Sequence, residues 1–173
     1  MVLECIKNRR SVRKFTQTPV TEEQIKTMLE AGMLSPSACN TRAWRFVVVT
    51  NKEVLNKIAD VHPWAKMLQT AQVCVVVVAL PQKQEGILNG LPLGFFPQDC
   101  AAVTQNIMLQ ATEMGLGSCW CGVYPKEPLI ASISEILELP KDEPPFSLIA
   151  IGEPDESPKM RGKYEEEKVS WVK

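Results

Sequence analysis

Residues 73–80, VCVVVVAL, constrain the fold more than any other segment of the sequence. An apolar run of this length, rich in β-branched valine, predicts a strand that is covered on both faces. Such a strand lies in the middle of a sheet, with other elements packed above and below it. The run is far too short to span a bilayer, which takes about 20 apolar residues. We therefore expect a layered globular domain built around this strand.

Both strands and helices are predicted around it. β-Branched and aromatic runs predict further strands at residues 44–50, 118–123 and 146–152. Apolar periodicity predicts helices at residues 51–60, 98–114 and 128–139, and a short helix within residues 1–10. The pattern from Thr21 to Gln24 is typical of a capping box, which opens a helix with Ile25 and Met28 on its apolar face.

The mixture of these segments predicts an α+β fold with a central mixed sheet flanked by helices. The connection over residues 50–73 is long enough for a crossover to a parallel strand. Residues 1–173 are too few to give each of two domains a sizeable hydrophobic core, so we expect one domain. The tail, residues 153–173, has too few apolar groups to fold alone. Its Val169 and Trp171 would bury well only against something else, such as a partner subunit.

Composition and charge exclude several function classes. With 19 Lys and Arg against 20 Asp and Glu, the net charge is -1, which gives no overall attraction to nucleic acid or an anionic membrane. The six cysteines are scattered without a CxxC pair, and His62 is the only histidine, so neither zinc nor an iron–sulfur cluster is expected. The N-terminus lacks the apolar stretch of a signal peptide, so we expect a cytoplasmic protein with free thiols.

Four cations and a serine are concentrated in residues 9–14, RRSVRK. Guanidinium groups form forked, charge-assisted hydrogen bonds to phosphate, and serine adds a hydroxyl and a backbone N–H. In an extended segment Arg9, Ser11 and Arg13 would face the same side. On these residues alone, a solvated basic patch is the simpler interpretation.

A second polar segment, residues 35–44, reads SPSACNTRAW between a predicted helix and a predicted strand. Its hydroxyls and amide could bond a polar heterocycle edge or the ribityl hydroxyls of a flavin. Serine, proline and asparagine also favour turns for reasons of backbone geometry. On these residues alone, an ordinary turn is again the simpler interpretation.

Taken together, four motifs resemble those of the FMN-dependent nitroreductase family. They are RRSVRKF at residues 9–15, SPSACNTRAW at 35–44, GLGSCWCG at 115–122 and PKMRGKY at 158–164. The motifs occur in the family's order and span nearly the whole chain. The resemblance implies a homodimer with the C-terminal tail swapped between subunits and with FMN bound at the interface.

The resemblance also implies which residues hold FMN. Arg9, Ser11 and Arg13, with Arg10 aligned between them, correspond to the grip on the phosphate and the pyrimidine edge. The other implied contacts are Ser35, Pro36, Ser37, Cys39 and Asn40 of the second motif (Ser37 and Asn40 from the other subunit in many members), Lys66 near the pyrimidine edge, Trp120, Cys121 and Gly122 along the ring, and Arg161 and Lys163 at the phosphate.

The implied activity is electron transfer from NADH or NADPH through FMN to a nitroaromatic, a quinone or a similar flat small-molecule acceptor, in ping-pong order, with no side chain acting as acid or base. Two positions depart from the family pattern. Arg42 stands where many members have glutamine and brings a charge to the edge of its loop, and Lys163 stands where many members have arginine. A candidate lid at residues 84–97 carries side chains that either line an acceptor pocket or pack on the core: Leu91, Leu93, Phe95 and Phe96.

Other functions stay open on the sequence. The fold does not choose between nitroreduction and a specialised flavin reaction such as reductive dehalogenation or ring oxidation, nor does it exclude a flavin sensor or store without turnover. No GxGxxG motif follows a strand, so the choice between NADH and NADPH is open as well. Cys119 and Cys121 are interpreted as buried structural thiols, because alternate residues of a strand make poor disulfide geometry. His62 is interpreted as a loop histidine without a role.

Overall fold

The structure is a computed structural model, and it describes residues 1–87, 94–160, 162 and 164–173. The helices and strands of the described chain are, in order, α1 (Glu4–Asn8), α2 (Glu22–Met33), β1 (Trp44–Val49), α3 (Lys52–Val61), β2 (Val73–Ala79), α4 (Phe96–Glu113), β3 (Gly117–Gly122), α5 (Glu127–Leu137) and β4 (Pro145–Gly152). Short 3-10 turns occupy Ala38–Asn40, Lys66–Gln69, Pro81–Gln84 and Glu166–Lys168.

The four strands form one sheet in the order β1-β2-β4-β3, and each neighbouring pair is antiparallel. Every residue of β2 is buried, so the prediction of a central strand covered on both faces is confirmed. The even-numbered side chains of β2 pack with α3 and α5, and the odd-numbered ones pack with α2 and α4. The predicted α+β class, with helices on both faces of the sheet, is confirmed.

The prediction of a parallel crossover after β1 is wrong, and the sheet is antiparallel rather than mixed. Val49 of β1 lies opposite Cys74 of β2, so the connection begins and ends at the same end of the sheet. Helix α3 packs against the turn Lys66–Gln69, by which the chain returns. The length of a connection does not fix the direction of the next strand, because a helix followed by a return segment leaves the chain where it started.

Helix α2 begins where the capping box predicts. Gln24 N–H donates to Thr21 Oγ1 at 3.2 Å, and Thr21 N–H donates to Gln24 Oε1 at 2.9 Å. The helix ends at Met33, just before the Ser-Pro-Ser segment. A Cβ on Gly32 would lie 2.9 Å from Ile107 Cγ1, so the glycine allows α2 and α4 to pack closely.

Helix α4, predicted at residues 98–114, has a long buried face. It begins at Phe96, two residues before the predicted start, because Pro97 fits the first turn of a helix. The last part of the candidate lid is therefore helix. Residues 88–93 of that lid, with Leu91 and Leu93, lie outside the described residues.

The tail, residues 153–173, returns beside the N-terminal segment, where Phe15 forms an antiparallel bridge with Pro154. Further on, apolar side chains face solvent: Trp171 is 77% exposed and Val172 is 100% exposed. The swapped tail stays a prediction. Of the helices that the structure describes, none is both long and apolar enough to cross a membrane.

Candidate functional site

The segment of residues 9–14 follows α1 and lies beside β3. Val12 is buried, and its N–H donates to Ser118 O at 2.9 Å. The two segments approach so closely that a Cβ on Gly117 would lie 2.8 Å from Val12 Cγ1, which explains the glycine at the start of β3. Because alternate residues of an extended segment face opposite ways, the neighbours of Val12 face away from the core.

These outward residues line a groove of about 1220 Å³ between the two ends of the chain. One wall carries the predicted phosphate grip, Arg9, Arg10, Ser11 and Arg13. The tail contributes Pro158, Lys159, Met160 and Gly162. Arg161 and Lys163, for which the resemblance implies a phosphate contact, lie outside the described residues. The structure thus brings the basic N-terminal motif and part of the C-terminal motif to one place.

The cations of this groove are available to an anion. In the described part of the chain, none of its guanidinium groups pairs with a carboxylate. Arg10 Nη1 donates to two backbone carbonyls of the preceding turn, at 2.8 and 2.6 Å, and Arg13 Nη1 donates to Ser11 O at 3.3 Å. The Glu156 carboxylate accepts from the Arg13 backbone N–H at 2.5 Å. Most of the five N–H donors of each guanidinium stay free for a ligand.

Two smaller cavities share lining residues with the groove or with each other. One, of about 750 Å³, shares Arg13 with the groove and is lined by Lys66 and Trp120. The next, of about 330 Å³, shares Trp120 with the second cavity and is also lined by Cys121 and Gly122. Residues that the resemblance assigns to the phosphate, the pyrimidine edge and the flavin ring thus line three neighbouring cavities.

His62 lies in the loop after α3, as interpreted, but its side chain is buried and lines the smallest cavity. Trp64 N–H donates to His62 Nδ1 at 3.3 Å, which leaves Nε2–H to donate to Gly122 O at 3.0 Å. Lys126 Nζ lies 4.2 Å from the centre of the Trp64 ring, a cation–π contact on the rim. A lone histidine before a proline gives no sequence signal of burial, so this link was missed.

Cys119 and Cys121 are buried free thiols, as predicted. The neighbouring Cys121 thiol, opposed by burial and aided by the charge of Arg13, by Ser11 and by the charge of Arg9, lowers the pKa of Cys119 to about 7. The same pairing, together with burial, raises the pKa of Cys121. The Cys119 thiol therefore lies at the edge of the second cavity, which Arg13 of the groove also lines.

The polar segment of residues 35–44 lies elsewhere, and none of its residues is among those described as lining the three cavities. Cys39, Asn40 and Arg42 have φ angles of 51°, 53° and 49°, in the left-handed region that side chains disfavour. Ser37 Oγ accepts the Arg42 N–H at 3.0 Å. The side chains at 39, 40 and 42 are exposed, so the loop presents polar groups outward.

A buried polar network holds this loop from below. Asp99 is only 6% exposed and accepts from Ala38 N–H at Oδ1 (3.0 Å) and from Gln84 Nε2 at Oδ2 (2.7 Å). Gln84 Nε2 also donates to Thr41 Oγ1 at 3.1 Å, whereas its buried Oε1 has no partner among the residues described. Neither Asp99 nor Gln84 was singled out from the sequence, so the network was missed.

The remaining predicted residues divide between core and surface. The Ser35 hydroxyl is buried and accepts a hydrogen bond from a side chain of α4 at 2.8 Å, whereas Pro36 is exposed. Phe96 packs edge to face on another aromatic ring, 5.3 Å between centroids, which favours core packing for this residue. Phe95 is 42% exposed and stays available to an acceptor.

Comparison with known proteins agrees with the motifs. The sequence model of the nitroreductase family matches residues 6–63 and 60–153. A relative from Methanothermobacter thermautotrophicus, provisionally named NADH dehydrogenase/NAD(P)H nitroreductase, is 41% identical over 168 residues, which cover 97% of this chain and 85% of the relative.

Solved structures agree as well. A protein of the same provisional name from Parabacteroides distasonis aligns with a TM-score of 0.90 and 33% identity, over 97% of this chain and 95% of the other. An FMN-dependent nitroreductase from Clostridium difficile aligns with a TM-score of 0.86 and 28% identity, over 98% of both chains. The motifs, the fold and these likenesses agree: the chain belongs to the nitroreductase family.

Proposed function

We propose that the protein is an FMN-dependent oxidoreductase that takes electrons from NADH or NADPH and passes them, in ping-pong order, to nitroaromatics, quinones or similar flat acceptors. Family membership supports the class of reaction, and the relatives above are named for NAD(P)H nitroreductase activity and for FMN dependence. The observation that carries the proposal is the groove in which Arg9, Ser11 and Arg13 face the C-terminal tail.

The chemistry of the groove fits the phosphate of FMN. Guanidinium groups without carboxylate partners and a serine hydroxyl are the donors that a phosphate dianion prefers. The groove and the two neighbouring cavities are large enough for a nucleotide, since ligand sites typically measure roughly 300–1,000 Å³.

Each of these cavities suits a different part of FMN. Arg9 and Arg13 are the proposed phosphate ligands, and Lys66 is the proposed cation beside the pyrimidine edge. Lys66 Nζ lies 4.0 Å from Asp60 Oδ1, but both side chains are more than half exposed, so this pair neutralises little of the charge. Trp120 lines both smaller cavities, where the flavin ring is expected.

The protein's contribution is binding, orientation and electrostatics. When bound, FMN supplies the redox chemistry, accepting a hydride from the nicotinamide and delivering electrons to the acceptor. Lys66 would place positive charge beside the pyrimidine edge, where negative charge develops on reduction. Trp64 and Trp120 line the smallest cavity and give it two aromatic walls. No side chain is required to move a proton.

We also propose a homodimer of single-domain subunits, residues 1–173, with the tail of residues 153–173 packed on the partner. Exposed Trp171 supports this, because a large apolar side chain at the end of a chain usually buries against something. The loop that carries Ser37 and Asn40 lies apart from the groove of its own chain, which suits delivery to the flavin of the partner subunit.

The cofactor assignment is tested with the purified protein. We expect a yellow protein whose flavin is bleached rapidly by NADH or NADPH in stopped-flow experiments and reoxidised by a nitroaromatic. Arg9→Ala and Arg13→Ala should each weaken FMN binding by about 1.5–3 kcal/mol, the value of one charge-assisted bond, or roughly 10- to 150-fold in Kd. Lys26→Ala, which removes a distant exposed cation, is the control.

Two results would contradict the cofactor assignment. The first is unchanged FMN affinity in both arginine variants. The second is a colourless protein that does not take up added FMN. Bound FMN that neither nicotinamide reduces would instead indicate a flavin store without turnover.

The dimer is tested by size-exclusion chromatography with light scattering. Trp171→Asp should shift the protein from dimer toward monomer and lower its flavin content, because a charge cannot be buried against the partner without a large cost. Val61→Asp, at an exposed valine of α3, is the matched control. A dimer that keeps its flavin in the Trp171→Asp variant would refute the swapped tail.

A further inference from the structure

We infer that Asp99 and Gln84 are positioning residues for FMN, a buried pair that sets the conformation of the loop at residues 37–42. The inference rests on the proposed function, because it takes that loop to meet the flavin of the partner subunit. Neither residue is expected to touch the cofactor. Their effect passes through Ala38 and Thr41, which they contact directly.

The pair joins three separate parts of the chain. Gln84 ends the 3-10 turn after β2, and Asp99 lies in the first turn of α4. Both carboxylate oxygens of Asp99 are used, one for Ala38 N–H and one for Gln84 Nε2. The second hydrogen of Gln84 Nε2 is used by Thr41 Oγ1. The loop is therefore held at two points, Ala38 and Thr41, from one buried centre.

The two held points bracket the strained part of the loop. Cys39 and Asn40, which lie between Ala38 and Thr41, both have left-handed φ angles, and Arg42 follows with a third. Strained backbone of this kind persists only where the surroundings determine it, and it is concentrated at functional sites. Without the anchors the loop would relax toward ordinary backbone, and the side chains at 37 and 40 would change direction.

Anchoring of the loop explains why an acidic residue occupies position 99. No lysine or arginine pairs with it among the residues described, and it is nearly buried. Its stabilisation comes from amide donors and from its place at the N-terminal end of an 18-residue helix. A buried acid without a cation partner is costly in a core, so its presence favours a specific role.

The orientation of the Gln84 amide is the testable part. Nε2 has two acceptors and Oε1 has none among the described residues, so Asp99 decides which way the amide points. Gln84→Glu places two carboxylates together in a buried site and removes the donor to Thr41. Adding Asp99→Asn reverses the polarity: the new amide at position 99 keeps an acceptor for Ala38 and donates to the new carboxylate at position 84.

Thr41 suits this exchange, because its hydroxyl can donate as well as accept. We expect Gln84→Glu to raise the Kd of FMN about tenfold or more, in line with the loss of a buried, charge-assisted contact. The double variant Asp99→Asn/Gln84→Glu should return the Kd to within about threefold of the wild type. If Gln84→Glu does not fold, Gln84→Met, which keeps the volume and removes both polar groups, should weaken FMN binding in its place.

FMN affinity is measured by quenching of flavin fluorescence, together with kcat, KM and the melting temperature of each dimeric variant. Val103→Ala, in the same helix and fully buried, is the control for destabilisation. It should lower the melting temperature without changing FMN affinity. If Asp99 and Gln84 had only a structural role, Gln84→Glu would likewise lower the melting temperature without changing FMN affinity.

The inference is overturned if the position 84 variants bind FMN as tightly as the wild type, or if the double variant is no better than Gln84→Glu. In both cases the proposed function stands, because wild-type binding and turnover are unaffected. A wild-type protein that does not bind FMN would refute the proposed function itself, and this inference with it.

Discussion

The contact between Gly117 and Val12 supports a sharp prediction about how the groove is built. A Cβ added at Gly117 would lie 2.8, 2.9 and 3.1 Å from three atoms of the Val12 side chain, closer than carbon atoms can pack. Gly117 has no positive φ angle, so alanine is conformationally allowed there and the penalty is steric. Gly117→Ala should therefore destabilise the fold by about 1–3 kcal/mol, the usual cost of overpacking.

A second substitution makes the cause specific. Val12→Ala alone should destabilise by about 1–3 kcal/mol, because it leaves a cavity. The double variant Gly117→Ala/Val12→Ala should be more stable than the sum of the two changes by about 1 kcal/mol or more, because the clash disappears. Since Val12 stands between Ser11 and Arg13, FMN affinity should fall in Gly117→Ala and recover in the double variant.

The assay is urea denaturation followed by tryptophan fluorescence, with an FMN titration in parallel. For the stability measurement, Gly122→Ala is the matched control, because it is the same change in the same strand at a site where a Cβ meets nothing within 4 Å. A Gly117→Ala variant as stable as Gly122→Ala would refute the packing argument. Strict additivity in the double variant would refute it equally.

Two further predictions concern a thiol and a strained loop. The folded pKa of Cys119, about 7, lies below its ordinary 9.0, so the folded state releases this proton first and the free energy of unfolding should rise from pH 7 to 9. In urea denaturation under reducing conditions, Cys119→Ser should make the free energy of unfolding nearly independent of pH between 7 and 9. An unchanged pH dependence in this variant would contradict the assignment to Cys119. Arg42→Gly should stabilise the protein by about 1 kcal/mol, because glycine adopts a φ of 49° freely. Thr41→Gly, at an ordinary φ of -70°, should destabilise the protein. If the Arg42→Gly and Thr41→Gly variants shift the melting temperature in the same direction, backbone strain at Arg42 is contradicted.

Local patterns predicted the elements of the fold but not how they pair. The valine run predicted a central position for β2 in the sheet, and the capping box predicted the start of α2, because both signals are short-range. The direction of β2 relative to β1 depends on how α3 and the following turn pack on the sheet, which is tertiary information. The parallel crossover was wrong for that reason.

The candidate site was predictable to a similar degree. Alternation in an extended segment predicts Arg9, Ser11 and Arg13 on one side, and all three line the groove while Val12 is buried. Arg10 lines the same groove, which alternation alone does not predict. The burial of His62 and the anchoring of the loop by Asp99 were not visible, because each depends on contacts between residues far apart in the chain. Polar residues that act through such contacts look like ordinary surface or helix residues in a sequence.

The return of the tail beside the N-terminal segment has a consequence for biosynthesis. Phe15 pairs with Pro154, and Asp155 N–H donates to Lys14 O at 2.9 Å, so the groove joins segments that lie on opposite sides of the sheet strands in the sequence. On the ribosome the arginines emerge before the four strands of the described sheet, and the tail that lines the other wall of the groove emerges after them. The proposed capture of the nucleotide would therefore follow synthesis of the whole sheet.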